Sequence, residues 1–105
     1  VVNLDYSDKK TAEAVEEARR RWPEFVEAFA RRGEEPFLAK VRFSHGEIAE
    51  HMWMEVSDCD LESVTGEVVN RPFKLPKPRE GDVVTAPLSD LSDWLMIVDG
   101  EPVGG

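Results

Sequence analysis

Ile48-Ala49-Glu50-His51-Met52-Trp53-Met54-Glu55-Val56 is the stretch on which the reading of this chain depends. Its apolar positions recur every second residue, which is the period of a β-strand. That period places Glu50, Met52, Met54 and Val56 on one face and Ala49, His51, Trp53 and Glu55 on the other. His51 and Trp53 are therefore neighbours, and Glu50 points away from them. A catalytic pair of Glu50 and His51 is geometrically poor in a regular strand. The partner of His51 has to come from a different strand. Asp93 is the best candidate, because it precedes Trp94 at a strand mouth, where loops carry function.

The same period extends outward on both sides. From Pro36, the residues Phe37, Ala39, Val41 and Phe43 alternate with Leu38, Lys40 and Arg42, a half-buried strand. Ser44 to Glu47 is a turn, as is Ser57 to Asp60. Leu61 to Val69 forms a third strand, in which Gly66 marks a bulge or the close approach of another group. Links this short predict an antiparallel meander. Asn70 to Glu80 contains Pro72, Pro76 and Pro78 and reads as an extended surface connector. Val83 to Ala86 is a strand ended by Pro87. Leu88 to Leu91 can form one helical turn, and Trp94 to Val98, apolar on both faces, a buried central strand. Asp99-Gly100 signals a two-residue hairpin into an edge strand, Glu101 to Val103.

Upstream, the spacing changes. Val15, Ala18, Trp22, Phe25 and Phe29 fall at intervals of three and four, one face of a helix. Pro23 interrupts the helix but not the stripe. Inside a helix proline costs about 3 kcal/mol, whereas at a helix start it costs little. The pattern predicts helices over about 8–21 and 23–32, with Ser7 or Asp8 as cap, Gly33 in the left-handed closing position and a kink or break at Pro23. Residues 1–7 are expected to be an extended arm. The fold class is thus α+β: an N-terminal amphipathic helix packed on a curved antiparallel sheet of five to six strands, which the apolar final strands can curl toward a partial barrel.

With 105 residues the chain reads as a single domain, large enough to bury one core. Because it starts at Val1 and stops on Gly104-Gly105, a processed start and a continuation past Gly105 are expected. One cysteine, Cys59, precludes an internal disulfide and favours a reducing, cytoplasmic compartment. No run of 18 apolar residues supplies a membrane span. A net charge of −9 disfavours nucleic acid, and a monomer is expected. The charge is uneven, however: residues 70–80 carry +3 through Arg71, Lys74, Lys77 and Arg79, and the remainder carries −12. That basic island is a candidate anion site, although a solvated loop balancing an acidic surface is the favoured reading of it.

His51, Trp53, Asp93 and Trp94 form the candidate ligand site. In one reading they line a small pocket in which Asp93 orients the imidazole, for acid–base work or for ligand binding. In the other, the tryptophans fill the core and His51 is a satisfied polar group. His45, Glu47 and His51 have no metal-binding spacing, and no cofactor motif occurs, so neither metal nor cofactor is expected. Cys59, between Asp58 and Asp60, sits where like charge disfavours a thiolate.

Glu50-His51-Met52-Trp53, Thr65-Gly66, Gly81-Asp82-Val83-Val84, Ser92-Asp93-Trp94 and Val103-Gly104-Gly105, with Ala14 and Ala18, Pro23 and Phe25, and Lys40-Val41 and Phe43 upstream, resemble the YegJ-like family of bacterial domains of unknown function. The resemblance runs from about Thr11 onward. It implies a small bacterial α+β domain, brings no activity with it, and draws attention to residues 50–53 and 92–94. The functional expectation is a non-enzymatic binding module that recognises a partner protein or small ligand near His51, Trp53 and Trp94. The alternatives are a small hydrolase with His51 as base and Asp93 as orienter, and an acidic inhibitor or immunity-type protein.

Overall fold

The computed structural model describes residues 4–104. Two helices, α1 (Leu4–Arg20) and α2 (Trp22–Ala30), precede six strands: β1 (Phe37–His45), β2 (Ile48–Cys59), β3 (Ser63–Val68), β4 (Val83–Pro87), β5 (Leu91–Val98) and β6 (Glu101–Gly104). The fold is α+β. The sheet is antiparallel and open, in the order β4-β3-β2-β1-β5-β6, so the strands do not close into a partial barrel. β5 lies one place in from the β6 edge rather than at the centre. Among the described residues no helix is long and apolar enough to cross a membrane.

Helix α1 is built from strong helix formers, Glu, Ala and Arg, which lose little freedom on coiling. It starts at Leu4, so residues 4–7 of the expected arm are helical, and neither Ser7 nor Asp8 is a cap; residues 1–3 lie outside the described part. α1 ends at Arg20 and α2 begins at Trp22, with Pro23 in the first turn, where a missing N–H breaks no bond. α2 ends at Ala30 with Arg31 as its C-cap at φ −104°. Gly33 does not occupy a left-handed closing position, because the amides of Arg31 and Arg32 already satisfy the carbonyls of Ala28 and Phe29.

One face of the sheet is covered in two sections. Phe37, Ala39, Val41, Met54, Val56, Val64, Ala86, Leu91, Trp94 and Met96 meet Ala18, Trp22, Phe25 and Phe29 of the helices. Phe25 stacks on Trp22 at 4.5 Å and meets Phe37 and Trp94 edge-on. Beyond the reach of α2, Met52 and Val68 are capped instead by Leu75 of the 70–80 connector. The opposite face presents Leu38, Lys40, Arg42, His51, Trp53, Glu55, Glu67, Asp93 and Leu95, half-buried or exposed.

β6 pairs only with Leu95–Val98, which leaves the first half of β5 as a free edge. Helix α1 lies there. Arg19 Nε donates to the Leu91 carbonyl at 3.0 Å, and Trp94 Nε1 donates to the Ala18 carbonyl at 2.9 Å. A sheet edge with unpaired backbone groups invites foreign strands, and a helix laid along it removes that hazard.

Candidate functional site

β5 begins at Leu91, three residues earlier than the sequence pattern indicates, and its pairing with β1 is irregular. Lys40 faces Asp93 but Val41 faces Leu91, so Ser92 has no partner on β1. This is a β-bulge, which re-aims a side chain. Leu91 remains in the core while Ser92 reaches over β1 toward β2. There Ser92 Oγ shares a hydrogen bond of 2.6 Å with His51 Nδ1, the tautomer setting which atom donates. Ser92 is buried. Lys40, Asp93 and the α1 residues Ala14 and Val15 complete a cleft of about 250 Å³ around the pair.

Burial, with Lys40 and then Arg42 nearby, pushes the His51 imidazole below its ordinary value. The ring is thus neutral at pH 7 and can accept or donate at either nitrogen. Lys40 also lies 5.9 Å from the Trp53 ring centroid, which connects the cleft to the exposed sheet face.

The structure redistributes the expected site residues. His51 and Asp93 line the same cleft, but Asp93 does not orient the imidazole: its Oδ1 accepts from the Trp94 backbone amide at 2.8 Å. Trp94 belongs to the core, with no exposed surface, so it cannot touch a ligand. Period two by itself sends Asp93 and Trp94 to opposite faces; what it cannot reveal is the bulge, which brings Ser92 to the cleft side beside Asp93 while Leu91 and Trp94 stay in the core. Trp53 is half-buried on the open face, as the alternation requires. Ser92 and Lys40 were not selected from the sequence. Ser92 had a signal in the Ser92-Asp93-Trp94 segment to which the resemblance draws attention; Lys40 had only its place in the alternation.

Glu50 has a role that the sequence did not indicate. Its carboxylate accepts from the backbone amides of Phe73 at 2.7 Å, Lys74 at 2.9 Å and Leu75 at 3.2 Å. Those amides, Phe73 and Lys74 foremost, hold the carboxyl below the usual carboxylate range. Glu50 thereby fastens the basic connector to the sheet.

A larger cleft of about 320 Å³ lies between the last turn of α2 and the β5–β6 hairpin. Its cations are already engaged: Arg31 with Glu27, and Arg32 over the Phe29 ring at 3.7 Å. None of the expected site residues lines it. Among the described residues, no group of three or more His, Cys, Asp or Glu could hold a metal ion.

Residues 8–105 match the family DUF2314, described as an uncharacterized protein conserved in bacteria, and the chain belongs to that family. It is also 38% identical over 60 residues to a Neisseria meningitidis serogroup B protein with an ankyrin-repeat name; the match covers 57% of this chain and 24% of that protein. The chain thus spans about a quarter of that relative's length. No solved structure matches.

Proposed function

We propose that this DUF2314 domain, whose motifs also fit the YegJ-like description, is a non-enzymatic binding module for a small polar ligand. The site is the cleft of Lys40, His51, Ser92 and Asp93, with Trp53 at its border. The observation that carries this reading is the His51–Ser92 pair, set in an open cleft between an ammonium and a carboxylate. Lys40 supplies a positive donor, Asp93 an acceptor, and neutral His51 with Ser92 either. Such a set suits a ligand with an acceptor at one end and a donor at the other, such as a zwitterion or a peptide terminus. At about 250 Å³ the cleft is smaller than drug-sized pockets. An ankyrin-repeat name on a relative is compatible with a role in recognition. Amide shift mapping against a pool of amino acids and dipeptides tests the proposal. Perturbations at Lys40, His51, Trp53, Ser92 and Asp93 are expected, and perturbations confined elsewhere would refute the site.

A second reading rests on the same 2.6 Å contact. With Ser92 as donor, neutral His51 is placed to take the Oγ proton as the oxygen attacks an ester carbonyl, and to return it to the leaving alkoxide. Without Asp93 on the imidazole, binding is the better supported role. A fluorophosphonate probe separates the two: covalent labelling of Ser92 that disappears in His51→Ala would favour hydrolysis.

A further inference from the structure

The connector between β3 and β4 combines features that a solvated loop does not need. It is fastened along its length. Glu50 holds the amides of Phe73, Lys74 and Leu75. Leu75 is buried with Met52 and Val68. The Asn70 side chain accepts from the Trp53 amide, and Asp82 Oδ2 accepts from the Arg79 amide at 2.8 Å. Yet Phe73, whose own amide is held by Glu50, is 94% exposed. On the same loop Arg71, Lys74, Lys77 and Arg79 are all exposed. A fixed, cationic loop that holds an aromatic ring in water has the composition of an interface anchor, where aromatics and arginine concentrate binding energy.

We propose that the Asn70–Glu80 loop docks an acidic amphipathic peptide segment of another protein, with Phe73 as its apolar anchor and Arg71, Lys74, Lys77 and Arg79 as its charge partners. Charge complementarity argues for this occupant, since the loop carries +3 on a chain whose remainder carries −12. That remainder repels an anionic membrane and a nucleic-acid backbone, both of which extend far beyond the loop. A short acidic segment meets the loop alone. Its carboxylates pair with the four cations, and one apolar side chain covers Phe73. Glu50 is the positioning residue, because its three accepted bonds set the loop shape without touching the partner.

The experiment is fluorescence anisotropy of labelled short peptides that interleave Asp and Glu with Leu and Phe. Scrambled Lys and Arg versions, phosphatidylserine vesicles and an oligo-dT strand form the other arms. Expected is saturable binding of the acidic peptides, weakening between about 50 and 200 mM salt, and falling at least about tenfold in Phe73→Ala. Phe73 is a surface side chain, so this variant keeps its fold, which its amide spectrum verifies. Glu50→Ala should weaken binding although every contacting side chain remains, and Glu50→Gln, which retains an acceptor oxygen, should restore part of it. The proposal is overturned if no acidic peptide binds up to about 1 mM, if Phe73→Ala binds as well as the parent, or if only vesicles or only the oligonucleotide bind.

Discussion

Cys59 ends β2 half-buried, and burial, reinforced by Asp58 and then Asp60, pushes its thiol up to about 11. Since the thiolate is the reactive form, native Cys59 should react with iodoacetamide at pH 8 roughly a hundredfold more slowly than a free thiol. Timed alkylation before and after denaturation measures the ratio. His51 is shifted the other way. Its folded value lies below the unfolded one, so the unfolded chain binds the proton more readily in the window between them. Its contribution to stability is therefore fully present above the ordinary value of 6.5, and is lost as pH falls from there toward the depressed folded value. A proton-NMR titration should find His51 below 6.5. Replacing Lys40 with Gln should raise it part of the way back, because burial is the larger cause. The aspartates beside Cys59 are visible in the sequence, and the direction of its shift with them. The burial that dominates both shifts is set by strand pairing.

Two adjacent positions on β3 show how a strand pair balances tolerance against constraint. Gly66 faces Val56, and a Cβ there would lie 2.5 Å from the Glu55 carbonyl oxygen. The obstacle is backbone, not a flexible side-chain end, so Gly66→Ala should destabilise by about 2 kcal/mol in urea denaturation. One position on, Glu67 sits directly opposite Glu55 on the exposed face. Like charges across a strand pair repel, so Glu67→Lys should stabilise by about 0.5 kcal/mol, an effect that high salt removes. A glycine inside a strand already signals a bulge or the close approach of another group. It does not indicate which atom crowds the position, because that atom belongs to β2, and β2 is itself shifted by a bulge between Val56 and Asp58. The bulge at Ser92 acts similarly. Strict alternation would put Ser92 and Trp94 on one face; the bulge instead sets Ser92 with Asp93 in the cleft and leaves Trp94 in the core.

Across the whole molecule, the sheet has one face covered by helices and connector and one left open. Under the proposed binding role, stability and recognition fall to different tryptophans. Trp94, wholly buried and bonded to the Ala18 carbonyl, joins the sheet to both helices. Trp94→Ala should cost about 4 kcal/mol and lower cooperativity of thermal unfolding. Trp53→Ala, on the open face, should cost far less stability while abolishing ligand-induced shifts at the cleft. Equal stability losses in the two variants would contradict this division.

The α+β class, the antiparallel meander, the Asp99-Gly100 hairpin and the helical stripe of Val15, Ala18, Trp22, Phe25 and Phe29 follow from the sequence by itself. Each depends on periodicity or turn chemistry within a few residues. So does the separation of Glu50 from His51 across β2, which directed attention to a partner on another strand. The identity of that partner was decided only by the tertiary structure. Ser92 replaced Asp93 because a bulge is a mismatch between two strands, and neither strand carries the mismatch alone. Glu50 became the clasp of the basic loop for the same reason: its acceptors find amides more than 20 residues away, a distance that no local pattern encodes.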